Sequence, residues 1–166
     1  MNSKTGHKIK KRTHANDIFI TPLKLAKLCI DRHSYIDTDI WLDSCRNNGS
    51  FYNQFPNDNK DWCEILDNKD FLSYNKKVDI ISQNPPYSML SKWIDKCIEI
   101  SRKEIGMLIG IHNLTPKRIE TFNNAGFFVK SYIFFKVYQW YGNSCYVIFS
   151  KEITKNSIDF NRTIWR

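Results

Sequence analysis

An α/β fold built on an open, mostly parallel sheet is predicted by three observations. Short apolar runs with a polar residue at or next to their end recur at Asp39–Asp43, Trp62–Ile65 and Val78–Ser82, each leading into turn residues. Stretches of helical period flank them, over Pro22–Ile30 and Ser88–Arg102. Two later runs, Phe127–Phe135 and Cys145–Lys151, are joined by a loop containing Gly142 and Asn143 and read as a hairpin, which puts an antiparallel element near one edge. At 166 residues the chain suffices for one domain with a real core.

Each element follows in order. Met1 to Asn16 carries Lys4, Lys8, Lys10, Lys11 and Arg12 and no acid, so without it the net charge of +8 falls to +3. Residues 1–16 are read as a basic arm: Met1 to Thr5 as a solvated terminus, and Lys8 to Arg12, with Lys10, Lys11 and Arg12, as a phosphate-contacting segment. Residues 17–151 form the folded domain, and 152–166 are a tail without a strong pattern. Thr21 as N-cap and Pro22 at the first helical position open a helix with Leu23, Leu25, Ala26, Leu28, Cys29 and Ile30 on its apolar positions, ending near Asp31 to Ser34.

Asp39–Asp43 is the first strand. The loop Ser44–Ser50 follows, with Asn47, Asn48 and Gly49 suited to left-handed backbone and close approach to a ligand, and then the start of a helix carrying Phe51, Tyr52 and Phe55. The loop is not the dinucleotide Gly-x-Gly-x-x-Gly pattern and there is no Walker lysine, which excludes the usual nicotinamide, flavin and nucleoside-triphosphate signatures. Trp62–Ile65 is a short strand presenting Glu64, an acid spaced to meet ribose hydroxyls. Asp70 and Phe71 sit at a further strand edge, and Val78–Ser82 is the next strand. The links between these strands are too short for full helices, so this half of the sheet is a trimmed version of the fold. Ser88–Arg102 is a helix, Ile105–Ile111 a buried strand, and Pro116–Asn124 a helix capped by Thr115 and stopped at Ala125-Gly126.

The stretch Asn84-Pro85-Pro86-Tyr87 leaves the Val78–Ser82 strand. Two prolines cannot donate ladder hydrogen bonds, so the strand ends in a stiff extended turn that holds Asn84 and Tyr87 at its carboxyl end, where open α/β sheets bind ligands. Cys29, Cys45, Cys63, Cys97 and Cys145 are odd in number and form no Cys-x-x-Cys pair, arguing against a disulfide framework or a zinc site. With no apolar run near membrane-spanning length and no hydrophobic amino-terminal segment, a soluble intracellular protein, cytoplasmic or nuclear/nucleoid, is expected.

The ordered series Thr21-Pro22, Asp43 to Phe51, Glu64, Asp70-Phe71 and Asn84-Pro85-Pro86-Tyr87 resembles the amino-methyltransferases that use S-adenosylmethionine, specifically the adenine-N6 type, over roughly Asp17 to Lys151. The resemblance implies a Rossmann-like class I methyltransferase fold with a seven-stranded sheet in the order 3-2-1-4-5-7-6 and strand 7 antiparallel. It implies that Asp43, Cys45, Gly49 and Phe51 form the loop around the methionine part of the cofactor, with Thr21 and Pro22 on its far side. Glu64 would take the ribose, and Asp70 and Phe71 the cofactor's adenine. Ser44 and Asn47 stand where the family has Pro and a second Gly.

The resemblance also implies that Asn84, Pro85, Pro86 and Tyr87 are catalytic. An exocyclic aromatic amine is a poor nucleophile because its lone pair is delocalised, so the enzyme must position and polarise it. The Asn84 carboxamide oxygen and the Pro85 carbonyl would accept the amine hydrogens, and Tyr87 would stack on the base. Trp140 and Tyr141 are candidates for the base's other face, although packing against the sheet edge is an equal alternative. No metal is needed, and His33 and His112 read as structural. The expected activity is methylation of adenine in DNA or RNA, with target recognition supplied by the arm, loops, a homodimer or a partner subunit. Two alternatives stay open: a glutamine side-chain amide methyltransferase, and a decayed member that only binds nucleic acid or a partner.

Overall fold

The computed structural model describes residues 19–137, 140 and 142–158. Its strands are β1 Trp41–Asp43, β2 Lys60–Trp62, β3 Val78–Gln83, β4 Ser101–Gly110, β5 Phe128–Phe135 and β6 Ser144–Ser150. They form one sheet in the order β2-β1-β3-β4-β6-β5. β1 pairs in parallel with β2 and β3, and β3 with β4, whereas β6 is antiparallel to both β4 and β5. The helices are α1 Leu23–Ile30, α2 Leu90–Ile100 and α3 Pro116–Asn124.

The expected seven strands are corrected to six among the described residues, in the expected order without its outermost strand. The stretch at Asp70-Phe71 is a 3-10 turn, Phe71–Ser73, whose Leu72 N–H is capped by the Asp70 carboxylate at 3.0 Å. Asn68 at φ 58° reverses the chain before it, so that Glu64 and Lys69 form only an isolated bridge. These local bonds satisfy backbone groups that a strand would have paired. The second strand is Lys60–Trp62 in place of Trp62–Ile65, and Phe51 leads into a single 3-10 turn, Tyr52–Gln54, in place of a helix.

Helices cover both faces of the sheet. Leu42, Ile81, Ile105, Met107 and Val147 pack beneath α2 and α3. On the opposite face Trp41, Ile80, Leu108 and Ile148 pack with Ala26, Cys29 and Ile30 of α1 and with Phe51 and Phe55. Burial on both faces explains why β3 is buried along its whole length, its polar Asp79, Ser82 and Gln83 included. All five cysteines are unpaired. No helix among the described residues is long and apolar enough to cross a membrane.

Two helix starts contrast. Thr115 caps α3 as expected, its Oγ1 accepting from Arg118 N at 3.4 Å, and Gly126 at φ +80° follows the helix. At α1 the N-cap position belongs to Pro22, with no side-chain cap. Thr21 is thereby released for other bonds: its carbonyl accepts from Ser50 Oγ at 2.7 Å and its hydroxyl from Asn84 Nδ2 at 3.2 Å.

Under α1 lies a buried polar cluster. His33 Nδ1 bonds Glu104 Oε2 at 2.8 Å, and Nε2 bonds the Tyr146 hydroxyl at 2.7 Å; that hydroxyl also meets Ser82 Oγ at 2.6 Å. Burial pushes His33 down, keeping it neutral, so a ring that donates to Glu104 accepts from Tyr146. Burial pushes the Glu104 carboxyl up, but its bonds to His33 and Lys130 outweigh this and hold it below the usual range. Part of the tail is tied to the sheet: Val129 N–H donates to Asn156 Oδ1 at 2.8 Å and Ser157 N–H to the Val129 carbonyl at 2.7 Å.

Candidate functional site

At the carboxyl end of β1 the chain turns through Ser44–Ser50. Asn47 takes φ 48° and Gly49 φ 83°, and a Cβ on Gly49 would come within 2.7 Å of Asn53 Nδ2. Asn47 therefore supplies a left-handed position that a second glycine would otherwise fill. Two carboxylates brace the loop. Asp43 accepts from Cys45 N at 3.3 Å and Tyr52 N at 3.2 Å; Glu64 accepts from Asn47 N at 2.8 Å and Leu66 N at 3.3 Å.

Burial pushes Asp43 up to about 7, against the two backbone bonds that lower it. Its folded value lies above the unfolded one of 3.8, so the folded state holds the extra proton and stability is lost as pH rises from about 4 to about 7. Asp43→Asn should flatten that part of the stability profile, read as urea midpoints at pH 5 and pH 7.5. A variant retaining the wild-type slope would show that Asp43 does not cause it.

β3 ends at Gln83, directly before Asn84. Trp93 Nε1 donates to Ser44 Oγ at 2.7 Å and to Gln83 Oε1 at 2.8 Å; Ser44 Oγ also bonds Gln83 Oε1, and Gln83 Nε2 donates to Cys97 Sγ at 3.1 Å. Cys45 Sγ–H donates to the Asn84 carbonyl at 2.9 Å. These buried bonds fasten the β1 loop to the strand and helix on either side of Asn84. The Ser44 hydroxyl is part of that fastening. Asn84 Nδ2 donates to the Phe19 carbonyl at 3.3 Å and to Thr21 Oγ1, drawing Phe19–Thr21 across the end of β3.

The result is a cleft of about 560 Å³. Thr21, Cys45, Phe51, Glu64, Asp70 and Phe71 line it, whereas Pro22, Asp43 and Gly49 stand outside its lining. Asn84 and Pro86 also line it, Pro85 is buried, and Tyr87 borders a second hollow. Trp140 meets Phe19 edge-on, with ring centroids 6.2 Å apart. Tyr141, Lys10, Lys11 and Arg12 lie outside the described residues.

Phe19 is a site residue that the sequence reading missed. Its ring stacks on Tyr87 at 6.1 Å and 23°. A single aromatic residue two positions before Thr21-Pro22 has no periodicity to distinguish it. Trp93, read as an ordinary helix-face residue, also lines the cleft.

Glu64, Asp67 and Asp70 give the lining three carboxylates against one guanidinium, Arg46. Arg46 is itself paired with Asp67 at 2.6 Å and lies 3.7 Å over the Trp62 ring. The lining therefore has a negative balance.

No model of a protein family matches the chain, and no curated protein sequence matches it. Solved structures do. The precorrin-6y C5,15-methyltransferase of Geobacter metallireducens aligns with a TM-score of 0.58 and 17% identity over 79% of this chain and 88% of that one. Magnesium protoporphyrin IX methyltransferase of Synechocystis, solved with bound S-adenosylmethionine, aligns with a TM-score of 0.57 and 8% identity over 89% and 92%. The M protein of the type I restriction enzyme EcoKI aligns with a TM-score of 0.60 and 12% identity over 86% of this chain and 45% of that one. Strand order, the antiparallel β6 and these alignments agree on one conclusion: the chain has a Rossmann-like methyltransferase fold.

Proposed function

We propose that the chain transfers a methyl group from S-adenosylmethionine to the exocyclic amine of adenine in DNA or RNA. The observation that carries this reading is the position of the Asn84-Pro85-Pro86-Tyr87 turn. Asn84 and Pro86 border the acidic cleft, while Tyr87 borders the neighbouring hollow, so a donor in one and a base beside the other would meet at Asn84.

The residues of the cleft fit this donor. Its negative balance suits a sulfonium cation, Glu64 and Asp70 offer acceptors to a nucleoside, and Phe51, Phe71 and Met89 give apolar walls. The left-handed positions at Asn47 and Gly49 let the backbone approach closely, which favours a working loop over a decayed one. When bound, the donor supplies an already activated methyl electrophile.

The chain's task is then orientation. Asn84 Oδ1 and the Pro85 carbonyl accept the two amine hydrogens, turning the nitrogen lone pair out of conjugation, and the prolines hold both acceptors still. Tyr87 stacks on the base, which comes from a single strand or is extruded from a duplex. The net charge of +8 supports an anionic substrate. Target selection then falls to the basic arm, the loops, a second copy or a partner subunit.

Incubation with S-adenosylmethionine and either mixed DNA and RNA or a Gly-Gly-Gln peptide, followed by mass spectrometry, tests the reading. N6-methylated adenine nucleosides are expected. Methylated glutamine without a nucleoside product would replace adenine by a side-chain amide. Absence of donor binding by calorimetry would identify a decayed site.

A further inference from the structure

Across the Tyr87–Met89 turn lies a second, shallow hollow of about 310 Å³, lined in part by Tyr87, Ser91, Lys92 and Arg118. Ser88 and Met89 line both hollows, so this one turn separates them. Their charges are opposite. The second lining carries two cations and no carboxylate, whereas the first carries three carboxylates and one cation.

These two cations are also not among those that the fold holds in ion pairs. Lys27, Arg46, Lys76, Lys96, Arg102, Lys103 and Lys130 each pair with a carboxylate. Among the described residues, no such pair is formed by Lys92 on α2, by Arg118 on α3, or by the exposed Lys117 beside it. Arg118 Nη1 instead donates to the carbonyl and Oδ1 of Asn113, at 2.6 and 3.3 Å. A neutral residue thus aims the guanidinium without cancelling its charge. An oriented guanidinium, a lysine and a serine hydroxyl at the rim of a shallow hollow are the groups that contact phosphate oxygens.

We infer that this hollow is the track of the substrate strand's phosphodiester backbone, with Lys92 and Arg118 contacting phosphates that flank the adenine entering beside Tyr87. The inference rests on the nucleic-acid reading above and adds a substrate subsite to it. The negative donor cleft repels the same backbone, so the strand is confined to one side of the turn and only its neutral base reaches Asn84.

The test is binding of fluorescent adenine-containing single strands of about twelve nucleotides, DNA and RNA in separate arms, by the full-length protein across a salt series. With both contacts removed, in the Lys92→Gln/Arg118→Gln variant, the slope of log K against log salt should shrink in magnitude by about 1.4, because each single-strand phosphate contact contributes about 0.7. Affinity at low salt should fall roughly tenfold. Arg118→Lys should keep most of the slope that Arg118→Gln loses, and calorimetric affinity for S-adenosylmethionine should not change. Lys92 is exposed. Lys92→Gln therefore carries the test alone, with a slope change of about 0.7, if Arg118→Gln folds poorly. Wild-type strand binding with an unchanged Lys92→Gln slope overturns the track and leaves the adenine reading standing. A wild-type protein that binds neither strand and methylates only the Gly-Gly-Gln peptide overturns both.

Discussion

Asn84→Ala should lower methyl transfer by a factor of about 10³ while donor affinity stays within about threefold. Asn84 Nδ2 is engaged by the Phe19 carbonyl and Thr21 Oγ1, so the proposed reading assigns the amine hydrogen to Oδ1. Loss of one oriented hydrogen-bond partner at a reacting centre typically costs 10²–10³ in rate, roughly 3–4 kcal/mol. Release of the Phe19–Thr21 segment, and with it the ring against Tyr87, adds a positioning loss. The Asn84 carbonyl that receives the Cys45 thiol belongs to the backbone and survives the substitution, so the donor loop should keep its place. Asn84→Asp retains an acceptor but loses the Nδ2 donor, so it should recover the part of the rate due to the amine hydrogen bond and not the part due to placing Phe19–Thr21. Transfer of labelled methyl, read beside calorimetric donor affinity, separates these effects. An alanine variant with unchanged transfer would remove Asn84 from the chemistry.

The largest effect on stability is expected at Gly106→Ala. Gly106 lies in β4 facing the buried polar cluster, and an added Cβ would overlap the Tyr146 hydroxyl and come within 2.6 Å of His33 Nε2. Neither side chain is the loose end of a flexible chain. The hydroxyl is held between His33 and Ser82, and His33 by Glu104. The methyl must either break these bonds, leaving buried polar atoms unsatisfied, or push β4 from its neighbours; we expect a loss of about 3 kcal/mol. Gly126→Ala is the control. It has the left-handed φ of +80° but open space around the new methyl, so only the backbone penalty of about 1 kcal/mol applies. Urea unfolding of the three proteins makes the comparison. Equal losses would show that the cluster yields to the methyl without cost.

How much of this was legible depended on whether a residue's role is local. Thr115, α3 and Gly126 follow rules that act within one helix, and β3 is marked by Val78, Ile80 and Ile81 directly before the two prolines that end it. The β5–β6 hairpin follows from two apolar runs and the loop between them. β2 is a strand only because Lys60, Asp61 and Trp62 pair with Trp41, Leu42 and Asp43, a property of the partner as much as of the segment. Thr21 has the chemistry of an N-cap, yet Asn84, 63 positions away in sequence, takes its hydroxyl. Phe19 and Asn156 are likewise defined by distant contacts, one with Tyr87 and one with Val129. Neither carries a periodic signal of its own.

The truncated sheet gives the molecule an uneven resistance to opening. β2 is a three-residue margin with only a bent turn beyond it, and Ile65 and Leu66 beside it are 66% and 76% exposed. β4, by contrast, is ten residues long and paired on both sides. Local unfolding should therefore start at the β2 margin, whose amides exchange with solvent earliest. Glu64, Asp67 and Asp70 belong to that same margin, so a ligand held there closes the weakest part of the protein, and its occupancy becomes a source of stability through mass action.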